Sequence, residues 1–283
     1  MKKLKIDSND EELSNLFHWA LEQLQDDLHA LHMPLIGIGV GMAGLINPDT
    51  GSIMQSIPLG IEKPYPFVQK VRTCSNIPVF IENDANCCCW DEMIRSQRKR
   101  SQNFLFVLAE DRFHSRESTS PRIGFAVGMG VVIHGKVLRG DNYSAGEFKS
   151  ILWNSKNVNQ FSIDDERISN PEKYPDTIYA VIHELASHVA FLVNLLNLSL
   201  VVLGGGIQKY GNKVLDAINQ EIKKNYSYPD QGSCEVCFVD DGEYAVALGA
   251  GGLFLEHLFS VDPLGEDVSG KGYEMFQSLI AQP

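Results

Sequence analysis

The sequence predicts an α/β fold. Short apolar runs of strand length alternate with stretches whose apolar residues recur at helical spacing, and glycines gather where several of the apolar runs end. A chain of 283 residues is long enough for one large domain or two modest ones, each with its own core.

The elements follow in order. A helix is predicted over 8–31, where Ser8 and Glu11 have the spacing of a reciprocal N-terminal cap. Leu13, Leu16, Phe17, Ala20, Leu24, Leu28 and Leu31 form its apolar stripe, and Pro34 ends it. LIGIGVGMAGLI reads as a buried strand entering a glycine turn, VFIEN (79–83) as a second strand, and 86–97 as a helix. NFLFVLAE (103–110) and IGFAVGMGVVIHGKVL (123–138) read as strands split by the polar insert DRFHSRESTSPR, a surface loop. A long helix fits 175–197, with Ile178, Val181, Ile182, Leu185, Val189, Leu192, Val193 and Leu196 on one side. SLVVLGGG is then a buried strand ending in glycines, 207–225 a helix, CEVCFVD a strand, and 243–259 a helix containing ALGAGG. Met275, Phe276, Leu279 and Ile280 suggest a last helix that packs back on the first lobe.

The composition shift near RSQRKRSQ (95–102) divides the chain into a smaller lobe, 1–102 completed by 261–283, and a larger lobe, 103–260. That basic run closes a helix, where cations oppose the dipole favourably, so it reads as a solvated helix end. A net charge of −12 and a pI of about 5.1 argue against nucleic acid or an anionic membrane as the main partner of these residues. No apolar run is read as a membrane span, and the start, MKKLKIDSNDEEL, lacks the apolar segment of a secretory signal. Six cysteines without an export signal imply reduced thiols in a cytoplasm.

Cys87, Cys88 and Cys89 are consecutive, so on a helix they point about 100° apart and cannot converge on one ion. They read as small packing residues, as does the lone pair Cys234 and Cys237, and no metal site is expected. HELASH holds His183 and His188 five residues apart, not the four that share a helical face in a zinc protease. Three glycine-rich turns, GIGVGMAG, FAVGMG and LGGG, suggest a ligand site, although none matches a complete dinucleotide or phosphate-loop pattern. Asp84, at a strand end behind Glu82 and Asn83, is placed either to cap the next helix or to face a ligand. Glu147 in SAGEF is a second carboxylate in a loop of small residues. Two carboxylates and an amide suit vicinal sugar hydroxyls, which both donate and accept hydrogen bonds in fixed directions.

The order GIGVGMAGLINPDTG, IPVFIENDAN, GMGVVIHGKVLRGDNYSAGEF, LSLVVLGGGI and ALGAGG resembles the ROK family of repressors, open reading frames and sugar kinases across nearly the whole chain. The resemblance implies a two-lobed actin-like ATPase (ribonuclease H-like) fold, with the first lobe truncated at its N-terminus and a sugar between the lobes. It implies sugar contacts from Asn83, Asp84, Glu147 and Gly44. In kinase members the aspartate matching Asp84 is the base that deprotonates the attacking hydroxyl. Gly128, Gly130, Gly205 and Gly206 match nucleotide-binding positions in degenerate form.

Several positions depart from the family pattern. The second phosphate loop is Phe125, Ala126, Val127, Gly128, Met129 and Gly130, without its threonine and one glycine. Ser150 stands for the histidine after AGE, Asn47 and Ala43 replace an aspartate and a proline, and the cysteine-rich zinc motif is absent. The first phosphate loop would precede the helix at 8–31, with KKLKI as the remnant of the third strand. The expectation is therefore a cytoplasmic sugar-binding effector body of a ROK-type transcriptional regulator, commonly a homo-oligomer, with little or no kinase activity. Its ligand would be a monosaccharide or sugar phosphate, its DNA contact would come only from an absent N-terminal segment, and no cofactor is expected. The alternative is an ATP-dependent sugar kinase, glucokinase-like, using ATP and magnesium with Asp84 as base.

Overall fold

The computed structural model describes residues 10–31, 34–73, 76–95, 101–113, 124–228, 233–242 and 244–259. Four expectations lie outside them: the cap at Ser8, the KKLKI strand, the insert beyond Phe113, and the helix at 261–283. Most of the basic run at 95–102 lies outside as well. Helix α1 spans Asp10–Leu31, and Leu13 and Phe17 pack on the first core. Of the predicted stripe Leu24 is exposed at 46%, while Leu21, outside that stripe, is buried.

Strand β1 (Ile38–Met42), β2 (Leu45–Asn47), β3 (Ser52–Gln55), the short helix α2 (Phe67–Val71) and β4 (Val79–Asn83) follow. β1 pairs with β4 in parallel, Ile38 opposite Val79 and Met42 opposite Asn83, and β2 with β3 forms an antiparallel hairpin. Ile46, Ile53, Tyr65, Phe67, Val71 and Ile81 make the core beneath them. β1 was expected to be buried, yet only Met42 is; among the described residues its one strand neighbour is β4. Its glycines serve packing. A β-carbon on Gly39 would lie 1.9 Å from the Ala250 carbonyl oxygen, and one on Gly37 would lie 1.8 Å from the Phe254 ring.

Helix α3 (Asp84–Arg95) starts two residues earlier than predicted, directly after β4. Strands β5 (Phe104–Asp111), β6 (Phe125–Ile133) and β7 (Lys136–Val137) form an antiparallel meander. His134 and Gly135, with φ of 51° and 73°, make the two-residue turn whose twist suits a hairpin. After the short helix α4 (Asp165–Ser169) and the long α5 (Thr177–Leu196), strand β8 (Leu200–Gly204) joins β5 in parallel. The predicted helix at 207–225 is broken by Gly211 into a 3-10 turn, Gly206–Tyr210, and α6 (Asn212–Asn225). β9 (Glu235–Phe238) and α7 (Ala245–Phe259) complete the described chain.

The resulting sheet has the order β7-β6-β5-β8-β9. Leu105, Val107, Phe125, Leu185, Val189, Val201 and Ile218 belong to one large core, while Ala85, Cys88, Cys89, Phe104, Phe106 and Val132 belong to another. α5 is long and apolar enough to cross a membrane by composition, a feature the sequence reading passed over. Its burial of Val181, Ile182, Leu185, Ala186, Val189 and Val193 is that of a core helix. By its contacts the chain divides at Asn83/Asp84 and again at Val246/Ala247, rather than near 102 and 260. α3 belongs with the second unit because its small residues pack on β5 and β6.

Candidate functional site

β4 hands over to α3 without an intervening loop, so Asp84 occupies the first helical position. Its carboxylate accepts the Ala85 N–H at 2.9 Å, as a negatively charged side chain at a helix N-terminus should. Burial nonetheless pushes the Asp84 carboxyl from 3.8 up to about 6, against the lowering effect of the Ala85 N–H. The negative charges of Glu147 and then Glu110 raise it further.

Glu147 reaches this neighbourhood through the backbone. Met129 N–H donates to the Gly146 carbonyl at 2.9 Å, and Glu147 forms an antiparallel bridge with Gly128 of β6. Gly146 adopts φ +90°, and a β-carbon there would lie 1.8 Å from the Met129 oxygen, so only glycine lets the loop meet the strand. Gly128 completes the arrangement: its absent side chain would sit 3.9 Å from Asp84 Oδ1. Asp84, Gly128 and Glu147 are thus brought together within the second unit.

In the first unit, Asn83 donates from Nδ2 to the Gly44 carbonyl at 3.0 Å, while its backbone N–H bonds the buried Glu82 at 2.9 Å. Gly44 has φ +128° beside Gln55, and Ser56 Oγ donates to the Ala43 carbonyl at 2.6 Å. The glycine turn after β1 is therefore a braced structure that holds Asn83.

The remaining glycines differ from expectation. Gly128 and Gly130 lie inside β6, opposite Leu108 and Phe106, and do not form a loop. Gly205 (φ +83°) and Gly206 do follow β8, against Ala109, Glu110 and Asp111. Asp111 there accepts the Tyr210 hydroxyl at 2.6 Å and pairs with Lys209 at 2.7 Å, and burial with this bond holds the Tyr210 phenol protonated.

Beyond Glu147 the chain is knotted by amides. Asn157 donates to the Phe161 and Ile163 carbonyls, and Asn159 donates to the Ile163 carbonyl and to Asp165. Asp165 in turn accepts the Val158 and Asn159 N–H groups. Among the described residues no group of three or more His, Cys, Asp or Glu side chains could hold a metal ion. Cys87, Cys88 and Cys89 are buried thiols, with Cys88 raised by burial, and like Cys234 and Cys237 they are not in disulfides. His188 accepts the Ile151 N–H at 3.1 Å and bonds the Glu184 carbonyl at 2.7 Å, a structural tie.

Two residues near Asp84 and Glu147 escaped the sequence reading. Glu110 had one signal, a charge breaking the apolar run FLFVLA, whereas Gln160, a buried amide in a polar loop, had none.

Comparison with known proteins adds the lineage. The ROK family model matches residues 2–159. A glucokinase of Halalkalibacterium halodurans is 24% identical over 256 residues, covering 74% of this chain and 73% of that one. A ROK hexokinase of Thermus thermophilus superposes with TM-score 0.61 at 20% identity, over 90% of each chain. A ROK family transcriptional regulator, a homolog of the E. coli MLC protein, gives 0.64 at 17%, covering 90% of this chain and 73% of that one. The fold is thus the actin-like ATPase fold of these proteins, and the chain belongs to the ROK family.

Proposed function

We propose that this protein binds a monosaccharide through Asp84 and Glu147 and acts as the sugar-sensing body of a ROK-type transcriptional regulator, with little or no phosphoryl transfer. The observation that carries the proposal is the pairing of those carboxylates beside Gly128, in a setting that offers hydroxyls acceptors but offers a triphosphate repulsion. Two carboxyls, the charge of one raising the other, which holds a proton up to about pH 6, can accept and donate to adjacent hydroxyls.

Phosphoryl transfer depends on positioning the phosphates and stabilising their charge. The glycines aligned with the second phosphate loop are committed to β6, and the space at Gly130 is filled by α3. Glu110 adds a negative charge near Asp84 where a phosphate would need donors. In this reading those glycines serve the packing of the sheet rather than a nucleotide. In this reading a separate segment contacts DNA, and the body assembles as a homo-oligomer.

The second reading is an ATP-dependent sugar kinase. It is favoured by the likeness to a glucokinase and by Asp84 itself: a carboxyl of pKa about 6 is ionised at neutral pH and is a competent proton acceptor.

Calorimetry against hexoses, pentoses and amino sugars, run beside a coupled ADP-release assay, separates the two. We expect binding heat for at least one sugar, abolished by Glu147→Gln, and no turnover. Silence across the panel removes the sugar-binding reading. Turnover lost in Asp84→Ala makes the protein a kinase.

A further inference from the structure

Gln160 is 3% exposed, and its one side chain makes three hydrogen bonds. Oε1 accepts the Val127 N–H at 2.8 Å, and Nε2 donates to the Val127 carbonyl at 2.9 Å and to the Phe148 carbonyl at 2.6 Å. Its backbone carbonyl accepts the Ser150 N–H at 2.9 Å. A primary amide has two donors and one oxygen, so every hydrogen it owns is used.

The place of these bonds matters more than their number. Along the outer edge of β6, Val132 and Ile133 pair with β7, and the Val131 carbonyl accepts the Leu138 N–H. Met129 then bonds Gly146, and Gly128 bridges Glu147. At Val127 the next partner is the Gln160 amide, which occupies both the donor and the acceptor as a neighbouring strand would. The same amide holds Phe148, the residue after Glu147. Glu147 is therefore fixed on both sides, by Met129 at Gly146 and by Gln160 at Phe148.

We propose that Gln160 is a positioning residue that keeps the Glu147 carboxylate beside Asp84 and thereby sets sugar affinity. The functional half of this rests on the sugar-binding reading above; the geometric half does not. Removing the amide leaves two buried carbonyls and a buried N–H without these partners, and the loop carrying Glu147 should separate from β6.

The test uses Gln160→Met, close in length and without the hydrogen bonds, in the full chain. Selective carbon-13 labelling of aspartate, without sugar, reads the titration midpoint of Asp84, and calorimetry reads affinity. Glu147→Gln sets the scale, because it removes the neighbouring charge without moving the loop. We expect Gln160→Met to lower the Asp84 midpoint by roughly half a pH unit, approaching the Glu147→Gln value, and to weaken the best sugar roughly tenfold or more. An earlier melt with unchanged midpoint and unchanged affinity assigns Gln160 to stability alone and overturns the proposal. A moved midpoint in a protein whose wild type binds no sugar keeps the positioning and removes the sugar reading. A wild type that binds sugar while Gln160→Met keeps its midpoint removes the positioning. Should Gln160→Met not fold, Gln160→Asn, polar but one methylene too short to span Val127 and Phe148, is read on the same two scales.

Discussion

A β-carbon on Gly130 would lie 2.3 Å from the sulfur of Cys89, closer than two unbonded atoms can approach. The cysteine run and the strand glycine are therefore two halves of one contact: α3 lies on β6 because a small thiol faces a residue with no side chain. Gly130→Ala should destabilise the second unit by about 2–3 kcal/mol, measured by urea unfolding. Adding Cys89→Ala should recover part of the loss. Full recovery is not expected, since the Ala85 carbonyl oxygen stands 2.7 Å from the same point. No loss at all would mean that α3 shifts freely on the sheet.

Asp84→Asn should change stability with a definite sign. The folded carboxyl titrates at about 6 and the unfolded one near 3.8, so the folded chain binds the extra proton between those values. Stability from this group is fully present below the unfolded value and is lost as pH rises through 6. The amide escapes that loss, so Asp84→Asn should be more stable than wild type near pH 8, by roughly 1–2 kcal/mol once solvent screening is allowed for. Near pH 4 the gain should vanish. A variant equally destabilised at both values would contradict this account of the carboxyl.

Gly146→Ala should abolish sugar binding while leaving most of the sheet folded. The left-handed φ and the Met129 oxygen 1.8 Å from the new carbon force the SAGEF loop off β6 and take Glu147 with it. Calorimetry should show the binding heat gone, and circular dichroism should stay near wild type. Retained affinity would remove Glu147 from the site.

Much of this was legible in the sequence, for physical reasons. VFIEN reads as a strand because its branched and aromatic residues end at an Asn-Asp pair, and it spans those residues in the structure. α5 was legible because its apolar spacing is helical over its whole length. Asp84 and Glu147 could be paired from sequence only through family resemblance, since 63 residues separate them in the chain. The glycines misled. FAVGMG, within a predicted strand, also reads as a glycine-rich turn because glycine is usually needed for turns, but at Gly130 the requirement is close approach of a helix, which leaves no trace in local composition. Gln160 was invisible for a related reason: an amide imitating a strand looks like any polar loop residue until its partners, 33 and 12 positions away, are in place.

The loop after Glu147 should be indifferent to chelators, because Asn157, Asn159 and Asp165 tie it together. Incubation with EDTA should leave the melting temperature within error. Asn159→Leu, of similar size, takes one donor each from the Ile163 carbonyl and Asp165 and the acceptor from the buried Phe161 N–H, and should cost about 1–3 kcal/mol. A chelator-sensitive melt would show that a metal does part of this work.

The same knot sets a limit on how the protein ages. Asn159 Nδ2 lies 2.6 Å from Asp165 Oδ1. Slow hydrolysis of that amide would turn a donor into an anion and set it against a carboxylate, so one deamidation event would force the two side chains apart from within. Stored samples should accumulate an acidic species that has lost the order of residues 157–165 while keeping the sheet, a wear pattern written into the choice of asparagine over an aliphatic side chain.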